Sequence, residues 1–134
     1  MAIVEGMSQT IARSELAAFN DSIRLTVPRI VDDLRNSLGA KLVAYIAGVS
    51  ETRTVREWAE ATRQPAKTAE ERLRLTHRIV TFMAQSEGEA VVSTWFQGMN
   101  PHLGDRSPAR VLHEDPFETA GPKVLAAANA FVGN

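Results

Sequence analysis

The side chains most able to do chemistry sit together in "ETRTVREW": Thr52, Arg53, Thr54, Arg56 and Glu57. Guanidinium groups pair in bidentate fashion with phosphate or with the major-groove edge of guanine, and hydroxyls at a helix start donate to phosphate oxygens. The chemistry implied is recognition of a polyanion rather than bond making. Little else in the chain points to catalysis. The three histidines, His77, His102 and His113, lie far apart, and there is no cysteine. Disulfide scaffolds, thiolate zinc sites and cysteine nucleophiles are thereby excluded. His113-Glu114-Asp115 reads as a solvated acidic loop, and no Gly-x-x-x-x-Gly-Lys phosphate loop occurs. The expectation is a non-enzyme with no cofactor and no metal.

The elements that must position those arginines span Lys41 to Pro65. Leu42, Val43, Tyr45 and Ile46 form an apolar helical face, Ala44 and Ala47 are small enough for a close crossing, and Gly48 permits a turn. A second helix starts near Thr52 and runs through Val55, Trp58 and Ala61 before Pro65 ends it, with Val55 and Trp58 as its buried pair. This is the pattern of a helix-turn-helix, with Arg53, Thr54, Arg56 and Glu57 facing outward and Ser50 or Thr52 as the cap. Three residues, Glu51-Thr52-Arg53, separate Ser50 from Thr54-Val55. The turn is therefore one residue longer than the common repressor pattern, which can rotate the outward set. Glu51, Glu57 and Glu60 oppose a polyanion, so an ordinary helical hairpin with solvated arginines is the alternative. Beyond the second helix, Arg63 and Lys67 are candidates for backbone phosphate contacts.

Around this unit the periodicity is helical throughout. Met1 to Ser8 lacks a period and is expected to fray. Leu16, Phe19, Ile23 and Val27 recur at helical spacing after Ser14, a candidate N-cap. Pro28 opens a second helix carrying Ile30, Val31, Leu34 and Leu38, with Gly39 as the break. A longer helix over Glu70 to Gln85 contains "RLRLTHR", whose spacing suits packing on a core, and Asp32-Asp33 and Glu70-Glu71 read as helix-start charges. Glu89 to Gln97 follows, with Gly98 after its end. Ser107-Pro108 signals a short helix through Leu112, and Gly121-Pro122 launches a last one. Strand alternation is nowhere sustained, so the expected class is all-α: N-terminal helices and a helix-turn-helix, then a small helical domain.

Charge is uneven although the net is only −1. Residues 1–34 carry three basic and five acidic groups, residues 35–78 nine and five, and residues 79–134 three and six. A polyanion partner would meet the basic middle. No run is long enough to span a membrane and no signal peptide pattern opens the chain, so the expected compartment is the cytoplasm.

The final third, "VVSTWFQGMNPHLGDRSPARVL" followed by "GPKVLAAANAFVGN", resembles the toxin-binding domain of the Xre/MbcA/ParS family of bacterial antitoxins. The resemblance rests on Trp95, Asn100, Pro101, Leu103, Gly104, Ser107, Pro108, Val111, Leu112 and the apolar run Val124 to Phe131. With the helix-turn-helix it covers roughly residues 38–134. It implies two regions: 38–68, a DNA-binding helix-turn-helix, and 69–134, a toxin-binding domain; residues 1–37, N-terminal helices, lie outside it and suit either dimerisation or packing on their own domain. It further implies a type II antitoxin that covers the substrate site of a RES-type, NAD-degrading toxin, or of an ADP-ribosyltransferase-like relative, and regulates its own operon. The partners are then the cognate toxin, operator DNA and a second copy of the chain. Trp95, Met99, Asn100, Leu103, Ala128, Phe131, Val132 and Asn134 are the expected toxin contacts, although Trp95 suits a core better and Phe131 suits one as well. A stand-alone regulator and an adaptor without DNA binding are the alternatives.

Overall fold

The computed structural model describes residues 2–133, and among them it is all-helical, with no strand. Eight helices follow in order: α1 (Ala2–Arg24), α2 (Val27–Leu38), α3 (Ala40–Ala47), α4 (Thr52–Ala59), α5 (Lys67–Glu87), α6 (Glu89–Gln97), α7 (Pro108–Glu114) and α8 (Phe117–Gly133). A 3₁₀ turn, Pro101–Leu103, lies between α6 and α7. None of these helices is long and apolar enough to cross a membrane.

The longest apolar stripes belong to α5, and they organise the molecule. Leu73, Leu75, Ile79, Val80, Phe82 and Met83 are buried there, and α1, α2, α3, α6 and α8 all pack on this helix. His77 and Thr76 are buried on it as well, which agrees with a core-packed "RLRLTHR". One continuous apolar cluster runs from Ala18 through Trp58 to Ala128, so all three expected regions share it. Burying side chains of this size removes roughly 1.5–3 kcal/mol worth of apolar surface from water apiece.

Several expected boundaries move. With no proline before Pro28, α1 runs unbroken from Ala2, so the opening stretch is helical and Ser14 lies inside the helix. Thr26 starts α2, with Pro28 in its first turn, and Val27 belongs to α2 rather than to the helix before it. Asp32 and Asp33 fall inside α2 rather than at its start. Lys67 opens α5 instead of lying in a loop. The last helix begins at Phe117, so Pro122 sits within it and does not launch it. Gly98 is extended, at φ −88° and ψ 155°, instead of left-handed.

Candidate functional site

Two short helices, α3 and α4, meet across the connection Gly48 to Glu51. The end of α3 is fixed by paired backbone bonds: Val49 N–H donates to Ala44 O (3.0 Å) and Gly48 N–H to Tyr45 O (3.2 Å). This Schellman return requires a left-handed residue, and Gly48 supplies it at φ 84°. Glu51 precedes α4 and makes no side-chain cap bond, so neither Ser50 nor Thr52 fills the expected capping role. The far end of α4 uses the same return with a less suitable residue. Ala61 lies at φ 62°, and Thr62 N–H donates to Glu57 O (3.0 Å) and Ala61 N–H to Trp58 O (3.2 Å). Ala61, not Pro65, therefore terminates α4.

The lengthened turn rotates α4 as its extra residue allows. Thr54 joins Val55 and Trp58 in the interior, only 8% exposed, which corrects its assignment as an outward residue. Thr52, Arg53 and Arg56 remain exposed and Glu57 is half-buried. Each outward arginine lies near a glutamate: Arg53 to Glu57 at 3.9 Å and Arg56 to Glu60 at 3.8 Å. Arg63 turns back toward Glu57 (3.7 Å) and donates to the Thr54 hydroxyl (3.5 Å), so it braces the helix end. Lys67 is exposed on the first turn of α5. Surface pairs of this length are weak, roughly 0–1 kcal/mol, and can be exchanged for a stronger anion.

Beside α4 lies an open cleft of about 860 Å³, floored by Lys41, Ala44, Tyr45 and Gly48 of α3 and its end. Ser50, Thr52 and Arg53 form one wall and His113 of α7 the other. The His113 ring stacks on Tyr45, with centroids 4.1 Å apart and planes 13° apart. Its Nδ1 lies 2.6 Å from Tyr45 O.

The second surface is apolar. Trp95 meets Phe96 edge-on at 5.1 Å and lies 6.4 Å from Phe131, and Val91, Ala90 and Thr94 complete a shallow groove with them. Val91 is 41% exposed, Phe131 39% and Met99 82%. The other expected contact residues do structural work. Trp95 is buried as the floor of the groove, Leu103 and Ala128 are core, and Val132 is half-buried. Asn100 is buried too, and its Oδ1 accepts from His102 N–H at 2.9 Å, capping the 3₁₀ turn. The Ser107 hydroxyl accepts from Arg110 N–H, capping α7. Asn134 lies outside the described residues.

The 3₁₀ turn is locked to α7 by Arg106, which donates twice to Asp115, at 2.8 and 2.9 Å. That hydrogen bonding, reinforced by charge, holds the Asp115 carboxyl below its ordinary value and raises Arg106. Glu114 is lowered likewise, chiefly by its bond from Arg110. The 113–115 segment is thus an ion-pair junction, not a solvated loop. A pair distant in sequence joins α2 to α5: His77 Nε2 lies 3.0 Å from Asp33 Oδ2. No local spacing in the sequence announces these pairs. Among the described residues no group of histidines and carboxylates is arranged to hold a metal.

Compared with protein-family models, with curated proteins and with solved structures, the chain matches none.

Proposed function

We propose that this chain is a helix-turn-helix antitoxin that binds operator DNA through α4 and neutralises a cognate toxin through its C-terminal helices. The observation that carries the reading is the separation of two surfaces of opposite chemistry. The start of α4 presents Thr52, Arg53 and Arg56 behind a Gly48 turn, and the groove at Val91, Trp95 and Phe131 presents apolar area. Arginine at a helix start suits a phosphate backbone and guanine edges, and exposed aromatic and aliphatic groups around a tryptophan suit a protein partner. The groove lies within the segment that resembles the toxin-binding domain. On that resemblance the partner is a RES-type enzyme that degrades NAD, held inactive by coverage of its substrate site. Operator binding calls for a homodimer on two half-sites, and Leu16, Phe19 and Ile23 form an exposed apolar stripe on α1 where a second copy would rest.

One observation favours the adaptor reading instead. Arg53, Arg56 and Arg63 each lie within 4 Å of a glutamate, an arrangement that also suits a solvated helix. Co-expression with the product of the adjacent reading frame, scored by growth and co-purification, tests the antitoxin. Rescue of a toxic neighbour as a complex is the expected result, and a harmless neighbour that does not co-purify contradicts it. Retention on DNA upstream of the chain's own reading frame then separates regulator from adaptor.

A further inference from the structure

Arg53, the arginine at the start of α4, is not the only cationic or titratable side chain lining the cleft. His113, in the C-terminal half, reaches across α3 and lies in the same cleft as Lys41, Ser50, Thr52 and Arg53. A carbonyl oxygen only accepts, so the 2.6 Å contact to Tyr45 O requires that Nδ1 of His113 carry a hydrogen. With Nδ1 so committed, a neutral ring leaves Nε2 as a lone-pair acceptor, which opposes a phosphate oxygen. After taking a proton from solvent, the same ring donates from Nε2. Nε2 makes no hydrogen bond among the described residues, and the ring lines the open cleft.

We infer that His113 is a proton-dependent phosphate contact that extends the DNA interface from α4 onto α7. This rests on the DNA-binding reading of α4 and adds to it a residue from the half expected to grip protein. Tyr45 of α3 stacks on the ring, and the other charged groups lining the same cleft are Lys41 of α3 and Glu51 and Arg53 at the start of α4. On α7 itself Arg110 and Glu114 pair with each other at 2.8 Å. The other helices packed on α7, α6 and α8, contribute nothing to the cleft. The sign follows: the charged ring binds phosphate and the neutral ring does not, so DNA affinity rises as pH falls.

The test uses the full chain and a labelled duplex spanning the DNA upstream of its own reading frame, titrated at about pH 6 and about pH 8. Wild type is expected to bind about tenfold more tightly at the lower pH, the size of one charge-assisted hydrogen bond. His113→Gln loses that gain, and its salt dependence at low pH falls by about one released counterion. His113→Arg keeps a permanent charge and binds at the higher pH as wild type does at the lower. Both effects are pH and salt signatures that a packing role for the ring would not move. Variants that retain the wild-type pH gain and salt slope overturn the assignment while leaving DNA binding by α4 intact. A wild-type chain that binds no duplex at either pH overturns both readings.

Discussion

The surface of α4 and the groove between α6 and α8 are built on opposite plans. On α4 the exposed groups are charged and lie within reach of counter-charges, and the apolar residues Val55 and Trp58 are withdrawn. Between α6 and α8 the exposed groups are themselves apolar, over a floor made by Trp95. A partner of α4 must displace weak ion pairs and gains by doing so only if it is a strong anion. A partner of the groove gains by covering Val91 and Phe131, whatever its charge. The contrast shows how one core can carry two faces of opposite chemistry.

The contrast is sharpened most by Trp95, since it forms the floor beneath the apolar groove. Trp95→Ala should cost about 3–5 kcal/mol in denaturant unfolding, whereas Met99→Ser should change stability by less than about 0.5 kcal/mol. Next comes the turn that orients α4. Gly48→Ala places a side chain at φ 84°, with its Cβ 3.1 Å from Arg72 Nη1. The guanidinium can move, so the cost is chiefly the left-handed backbone, about 1–2 kcal/mol in the same unfolding measurement.

The ion-pair junction near the groove gives a smaller, pH-dependent effect. The lowered Asp115 carboxyl contributes stability above the ordinary carboxylate range and loses it as pH falls through its depressed folded value. Asp115→Asn should therefore lower the melting temperature at neutral pH and flatten its decline in acid, as read by melts across pH. The smallest effect is a gain: Ala61→Gly relieves φ 62° at the end of α4 and should stabilise by about 0.5–1 kcal/mol.

Much of this fold was legible because its helices are amphipathic and punctuated by Gly39, Gly48 and Pro108. Periodicity located α2, α3, α5 and α6 to within a few residues. It failed where a breaker signal was overruled, as at Pro122, which sits inside α8, and where Ala61 took a left-handed conformation that no residue type advertised. Thr54 faces outward in the common repressor register, and one extra residue in the turn, about 100° of helix, carries it into the interior. The residues carrying the family resemblance, Trp95, Asn100 and Leu103, proved to be floor, turn and core, because a motif records what shapes a domain as readily as what touches a partner. The contacts of His113 with Tyr45 and of His77 with Asp33 join residues 68 and 44 positions apart, beyond the reach of any local pattern.

The most direct test separates the two faces in one experiment. Arg53→Ala with Arg56→Ala, and Val91→Ser with Phe131→Ser, are each co-expressed with the adjacent gene product and assayed for rescue, co-purification and retention on upstream DNA. The proposed function predicts that the arginine pair loses DNA, at about 1–3 kcal/mol per arginine, and still rescues. It predicts that the groove pair keeps DNA and loses the partner. Rescue by the groove pair at the wild-type level, or undiminished DNA retention by the arginine pair, would contradict the assignment of separate tasks to the two surfaces.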